Sequence, residues 1–492
     1  MGKLRSNDRW FSAIVTLAFL VGAGLIAMRH ELWCDEFGPW MIGRASHSLS
    51  QLMWNIRYEG HAPGWQLIIY ALTRITSSLE TMQILHLLLA SASVYLITRF
   101  SPMPRLWRLL YSFGFYPFYQ YAVLVRGYSL CVMLLFGFCA LYHLRRTRLI
   151  LPAAMLCMLA IADTYGWFMS VALAFALAVS WIYDRCRGIK WSNGRAATIA
   201  AAALIALGII WSALVTMPPP DSGCHSTWNI APSLSQFMHV LYSLSFDLNF
   251  LNPAFYVAIN LAAFVFIMLW FARRRVAFLM FCAFVFILAA FYYVKFSTVA
   301  FWHKGMMFEY FIACLWIFQS YEDEPLRPRL LERASLWCKR MGPAFVVCVL
   351  AFYVVYGMKW EINDIRRPYA TGKLVAQYVR DNYPKDIVIA GDSDFAATSI
   401  SGYLDRPVYY PASGRFGTYI IYDKKRSWPI SMDLLCGRVE KVSSRAGKKM
   451  LLATSYQLPD SCAGRLDARL VKTFGGSVMV GEDFWLYEIK RE

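Results

Sequence analysis

The chain has 492 residues, 58% of them hydrophobic and only 16% charged, with a mean hydropathy of +0.42. A water-soluble protein of this length needs far more polar surface, and apolar runs of about 17 to 25 residues recur along the chain, as membrane-spanning helices require. Lys and Arg outnumber Asp and Glu by 49 to 31, but the cations fall in short clusters between apolar runs, which argues against a nucleic-acid partner and for an orientation signal in a bilayer.

The first apolar run, 11–28, lacks the small-residue cleavage site of a signal peptide and is expected to persist as a helix. Clusters such as Arg99/Arg105/Arg108, Arg145/Arg146/Arg148 and Arg273/Arg274/Arg275 are placed on the inner side. The chain then reads as a polytopic α-helical membrane protein of about eleven transmembrane helices: 11–28, 82–98, 109–125, 128–144, 149–162, 166–183, 198–217, 253–271, 276–294, 306–320 and 343–356. The apolar piece 64–75 is too short to span and is expected to enter from the outer face as a helix. Cysteines within the runs, such as Cys131, Cys139 and Cys282, read as small packing residues.

The spans make a membrane module over 1–358, with a first outer loop at 29–63. Past 358 the composition changes: 359–492 carries 21 basic and 16 acidic residues and only short apolar runs. "DIVIAG" (386–391), "PVYYP" (407–411), "TYIIY" (418–422), "MLLATS" (450–455) and "FWLYEI" (484–489) read as strands, and 370–382 as a helix. These predict a C-terminal α/β domain, extracytoplasmic by the same parity. Cys436 and Cys462 lie in it and can pair if that side is oxidising.

The topology gathers polar residues on the outer face. "ELWCDEFGPW" (31–40) presents Asp35 and Glu36 among Trp33, Phe37 and Trp40. These are either two wetted acids in an interfacial aromatic belt, or a partly dried carboxylate pair able to accept a proton. Glu59 and His61 follow in "YEGHAPGW" (58–65); His61 can bind an anion, ligate a metal with the acids, or cap the turn before Pro63. Arg126 in "LVRGYSL" stands apart from the basic clusters, and a lone guanidinium at that depth suits a phosphate. Asp163 in "ADTYGW" serves turn chemistry or acceptor contact. His303 and Lys304 in "FWHKG" add donors, or snorkel to the interface. In "GDSDF" (391–395), Asp392 and Asp394 fit a strand-end turn or a ligand contact. Together the outer-face groups suit transfer from a lipid-phosphate donor. A carboxylate takes the proton of an incoming hydroxyl, and cations stabilise the departing phosphate. Such chemistry requires no cofactor and tolerates a divalent metal.

On these motifs the chain resembles the GT-C class of membrane glycosyltransferases, in particular the branch of protein O-mannosyltransferases and aminoarabinose transferases. The "DE" pair of Asp35 and Glu36 lies in the first outer loop. "EGHAPGWQLIIYAL" is similar to the branch's "HPPLYYLL", and "VRGYSLCVMLL" stands where the branch has an arginine opening a helix. The likeness covers roughly the first 180 residues. It implies inverting transfer of a sugar from a polyprenyl-phosphate-sugar donor at the outer face of the inner membrane, the periplasmic side. Asp35 would be the general base, Glu36 its support or an acceptor contact, and Arg126 would face the donor phosphate. "HAP" departs from the branch's "HPP", and the C-terminal part is unlike MIR repeats, so an envelope glycan, a lipid and a protein all stay open as acceptors. The rival readings are a lipid-linked glycan polymerase or ligase, and a non-catalytic transporter or scaffold of polysaccharide export.

Overall fold

The computed structural model describes residues 7–223, 231, 233–244, 253–295, 299–446 and 449–489. Two expected outer loops, 217–229 and 295–305, fall partly outside this set, at 224–229 and 296–298. Among the described residues the N-terminal part forms α1 (Asn7–Ala27), α2 (Cys34–Ala45), α3 (Leu49–Ile56), α4 (Pro63–Ile75), α5 (Leu79–Phe100), α6 (Arg105–Ser112), α7 (Tyr128–Leu141), α8 (Ile150–Ala162) and α9 (Thr164–Cys186). It continues through α10 (Arg195–Thr216), α11 (Leu234–Ser243), α12 (Pro253–Phe271), α13 (Arg275–Lys295), α14 (Phe301–Phe318) and the long α15 (Arg329–Arg366).

Seven helices among the described residues are long and apolar enough to cross a membrane: α1, α5, α7 with its extension to Arg146, α9, α10, α13 and α15. On α1 and α10 the residues facing outward, such as Leu17, Leu25, Leu207 and Leu214, are more than half exposed. In water such stripes would be a large uncovered patch; against lipid they are solvated. This is a multi-pass integral membrane protein.

The expected count of eleven spans is not reproduced as eleven continuous helices. α8 has only 13 residues, whereas the 19-residue α12 coincides with the expected 253–271. The stretch 109–125 breaks: α6 ends at Ser112, and a π-helical turn, Phe115–Gln120, follows Gly114. Pro117 inside that turn has no amide hydrogen to donate. All of Phe115–Gln120 is buried in protein, the setting in which irregular backbone is tolerated at membrane depth. The 64–75 piece is the 13-residue α4, too short to span, as expected.

The basic clusters pair with acids at one end of these helices. Asp8 meets Arg105 at 2.8 Å, Arg146 meets Asp184 at 2.7 Å, and Arg274 meets Asp323 at 2.8 Å. Along α9, Asp163 caps one end and Asp184 lies near the other. Its 23 residues, at about 1.5 Å each, are as long as the hydrocarbon is thick.

The C-terminal part is the expected α/β domain. It forms α16 (Gly372–Asn382), β1 (Val388–Asp392), α17 (Asp394–Leu404), β2 (Val408–Tyr410), β3 (Arg415–Gly417), α18 (Met432–Ala446), β4 (Met450–Thr454), α19 (Asp460–Arg465), β5 (Ala468–Phe474) and β6 (Phe484–Ile489). The sheet order is β3-β2-β1-β4-β6-β5; β1 runs parallel to β2 and β4, and the other pairs are antiparallel. Strand alternation splits the core. Leu451 and Ala453 face Val375, Val379, Ala397 and Ile400, while Met450 and Leu452 face Leu435, Val439 and Leu466. Cys436 and Cys462 form a disulfide joining α18 to α19. The "TYIIY" run is not a strand: the edge pairing stops at Gly417, and its side chains go elsewhere.

The domain docks on the end of the membrane module that holds α2. α17 packs on α2, and Tyr403 meets Phe37 edge-on at 4.8 Å. A Cβ on Gly402 would stand 2.1 Å from the Phe37 ring, so only glycine admits this contact. Arg44 pairs with Asp405 at 2.5 Å, and the amide of Tyr369 donates to Glu31 at 3.0 Å.

Candidate active site

The start of α2 is fixed by Glu36. Its Oε2 accepts from the amide of Trp33 at 3.0 Å, half of a capping box, and its Oε1 accepts from the amide of Val125 at 2.5 Å. His30 stands 3.0 Å from the same carboxylate and 2.8 Å from Asp364, which also accepts from the Tyr119 hydroxyl at 2.9 Å. All of these side chains are buried. Burial opposes the charged imidazole, but the carboxylates of Asp364 and Glu36 outweigh it and hold His30 well above the usual histidine range. Glu36 thus ties the end of α1, the start of α2, the 125–126 segment and the end of α15 into one knot.

The broken 109–125 stretch delivers Arg126 to this point. His86 on α5 holds its peptide, with Nε2 3.0 Å from the carbonyl oxygen and 3.2 Å from the amide nitrogen of Arg126. The guanidinium forms an ion pair with Asp35 and lies 5.2 Å from the Tyr128 ring centre and 5.7 Å from that of Trp302. Arg126 is only 12% exposed and Asp35 35%, so the carboxylate is the more accessible of the two, though both line the cleft.

The pair opens into a cleft with about 720 Å³ of empty space, counting its mouth. Glu59, His61, Asp163 and Trp65 form one wall, and Phe395, Thr398, Tyr419, Ile420 and Tyr422 of the C-terminal domain form the opposite one. Burial pushes the Glu59 carboxyl up to about 8; the charge of Asp35 adds to this and that of Arg126 opposes it. His61 stands 3.9 Å from Asp163. Desolvation lowers its imidazole below the ordinary value, with Asp163 pulling the other way. Asp163 caps α9 by accepting from the Tyr165 amide at 3.0 Å, the expected turn role, and it also lines the cleft. A Cβ on Gly127 would come 3.1 Å from Trp65 and 3.4 Å from Asp163, which keeps the arginine's loop tight against the wall.

Of the eight expected site residues, Asp35, Glu59, His61, Arg126 and Asp163 line the cleft, and Glu36, His303 and Lys304 do not. Glu36, expected as a catalytic partner or acceptor contact, is fully buried behind the wall with both oxygens engaged. His303 is packed 5.2 Å from the Tyr165 ring and 5.8 Å from Trp302. Lys304 neither snorkels nor reaches the cleft: its Nζ donates to the Tyr256 hydroxyl at 3.1 Å, under the Tyr242 ring at 4.6 Å, and the residue is buried. Helix α14 turns that face toward α11 and α12, where the rings accommodate the ammonium.

The sequence left out four groups that shape the site. His86 carried a signal, a lone polar residue inside an apolar span. Asp364 and the "TYIIY" residues carried none, and for His30 the partner that completes the knot, Asp364, is 334 residues away. Asp394 and Asp392 are engaged within the C-terminal domain, with Arg426 at 2.7 and 2.8 Å and with the Tyr456 hydroxyl at 2.6 Å. Among the described residues no group of three or more His, Cys, Asp or Glu is arranged to hold a metal ion.

No family model matches the chain, and no curated protein matches it either. Among solved structures it is similar to the crystal structure of ArnT from Cupriavidus metallidurans bound to undecaprenyl phosphate, at 13% sequence identity and a TM-score of 0.49, over 98% of this chain and 97% of that one.

Proposed function

We propose that this protein is an integral membrane glycosyltransferase. It moves a sugar from a polyprenyl-phosphate-sugar donor to an envelope glycan, lipid or protein acceptor on the outer face of a bacterial inner membrane, with Asp35 as general base. One observation carries the reading: a reachable carboxylate and a buried guanidinium meet in one cleft, at the end of the helices opposite the basic clusters. The disulfide in the domain that covers the cleft agrees with an oxidising compartment on that side.

In the resting site Asp35 and Arg126 neutralise each other. A donor phosphate presents a bidentate anion to Arg126 and competes with Asp35 for it, so donor binding frees the carboxylate. The acceptor hydroxyl then attacks the anomeric carbon from the face opposite the phosphate and passes its proton to Asp35. The bond from the anomeric carbon to the phosphate oxygen breaks with its electron pair going to the phosphate, and Arg126 stabilises that charge. Glu59, His61 and Asp163 are placed to orient sugar and acceptor.

The test is turnover of radiolabelled polyprenyl-phosphate sugars in membranes bearing the wild type or Asp35→Asn. Loss of label from the lipid with the wild type and its near-absence in the variant are expected. Equal turnover by both removes Asp35 from the mechanism, and no turnover of any donor removes the transferase reading.

A further inference from the structure

A second concavity lies in the C-terminal domain, between α18 and the β2–β3 edge of the sheet, with about 1170 Å³ of empty space. Its walls carry five cations, Arg415, Lys425, Arg438, Lys441 and Arg445, and no carboxylate. Two of them are anchored. Arg415 pairs with Asp423 at 2.9 Å, and Arg438 donates to the carbonyls of Pro411 and Ala412 at 2.6 and 2.9 Å. The other three, Lys425, Lys441 and Arg445, are exposed. Among the described residues, no ion pair involves them.

Arg438, Lys441 and Arg445 are spaced three and four residues apart on α18, so they share one helix face. Like charges at that spacing destabilise a helix by a few tenths of a kcal/mol per pair. Elsewhere this chain answers its cations with acids, as at Asp184 and Asp323. Here, among the described residues, no acid pairs with Arg438, Lys441 or Arg445. Phe416, 54% exposed, stands in the same wall with its ring 5.2 Å from that of Tyr409. An exposed ring beside unmatched cations offers two things at once: an apolar face for the C–H face of a sugar ring, and charge for an anion.

We propose that this groove binds an anionic saccharide, a sugar chain bearing phosphate or carboxylate groups, and holds it as the acceptor. The path to the cleft is short along the chain. Arg415 and Phe416 open, and Lys425 closes, the segment whose Tyr419, Ile420 and Tyr422 wall the cleft, so one loop borders both the groove and the cleft. The acceptor role rests on the sugar-transfer reading; the binding does not.

The test uses the full-length protein in nanodiscs of zwitterionic lipid and measures binding of oligogalacturonate, a phosphorylated mannooligosaccharide and neutral maltohexaose. At least one charged probe is expected to bind, more weakly as salt rises, and maltohexaose is not. The double variant Lys441→Glu/Arg445→Glu should weaken binding tenfold or more with an unchanged melting temperature, and Phe416→Ser several-fold. Asp35→Asn should bind like the wild type, which separates this site from the fate of the transferase reading. Equal binding of charged and neutral probes, no binding of either charged probe, or an unchanged affinity in the double variant overturns the proposal. So does preferential retention on phosphatidylglycerol vesicles, which would assign the groove to the bilayer surface. Charged-probe binding without any rise in acceptor KM in the double variant overturns the acceptor half.

Discussion

The carboxylate of Asp35 and the guanidinium of Arg126 pair directly, 91 residues apart in the chain, and the arginine's charge rests over the rings of Tyr128 and Trp302. Two substitutions should separate their roles. Asp35→Asn removes the proton acceptor and should lower kcat by roughly 10²- to 10⁴-fold, the scale of general-base catalysis. By releasing Arg126 it should also tighten binding of polyprenyl phosphate. Arg126→Ala should raise donor KM tenfold or more, and Arg126→Lys should recover part of it, because charge is kept while the planar fork is lost. Donor dependence unchanged in both arginine variants would sink the phosphate role.

Glu36 is expected to behave as a structural residue. Truncating Glu36→Ala strands His30 and the amides of Trp33 and Val125, all buried. Breaking a buried pair from one side costs about 3–5 kcal/mol. The apparent melting temperature should fall by several degrees in detergent, together with activity, whereas Asp35→Asn, whose carboxylate is partly exposed, should lower it less. His30→Ala should behave like Glu36→Ala, because it removes the link between Glu36 and Asp364. Full thermal stability in Glu36→Ala would overturn this assignment.

Glu59 makes the cleft sensitive to pH. Its folded carboxyl holds a proton up to about 8, against an ordinary value of 4.5. Between those values the folded state binds more protons than the unfolded one, so this group's contribution to stability falls as pH rises through the window and is flat above it. Its effect on function follows from charge. Below about 8 the cleft holds Asp35 against Arg126; above it Glu59 adds a negative charge that repels an incoming phosphate. Donor KM should rise several-fold between pH 7 and 9 in the wild type and stay flat in Glu59→Gln. A KM that climbs equally in both would free Glu59 from this role.

How much of this was legible beforehand depended on the range of each interaction. The apolar runs and the mixed composition past 358 are local signals, and they located the seven long apolar helices and the C-terminal sheet. Asp35 and Arg126 stood out because each is a charge without a local reason. The break at Gly114 and Pro117 was hidden inside a run whose hydropathy is that of a span. What decides there is that Phe115–Gln120 is walled by protein, so its backbone does not need a continuous helix. "TYIIY" has strand composition, but Tyr419 and Tyr422 are drawn to the cleft, and the sheet edge ends without them. Lys304 read as a surface cation because nothing near it in sequence announces Tyr256 and Tyr242.

The docking of the C-terminal domain can be tested at one glycine. Gly402→Val would drive a side chain into Phe37, where even a Cβ stands 2.1 Å from the ring. The ring is fully buried between α2 and α17, so the domain must lift. Because Phe395, Thr398 and Tyr422 form one wall of the cleft, the variant should lose most transfer activity. The linker near Arg367 should also become more sensitive to protease, with the membrane helices intact. Retained activity with a released domain would show that the wall is dispensable.

A further tether adjoins the cleft, beside Glu59 and Tyr422. The Tyr58 hydroxyl donates to Asp221 at 3.0 and 3.1 Å, the amide of Lys424 donates to the Asp221 carbonyl at 2.7 Å, and the amide of Gly223 donates to the Tyr422 carbonyl at 2.9 Å. These bonds bind the segment carrying Tyr419 and Tyr422 to the outer loops of the membrane module. A hydrogen bond to a charged group contributes about 1.5–3 kcal/mol, enough to hold a surface segment closed but not to hold the fold together. Tyr58→Phe should therefore raise acceptor KM several-fold while leaving kcat and the melting temperature near wild type. A fall in kcat without a change in KM would mean that the segment acts on the chemistry itself.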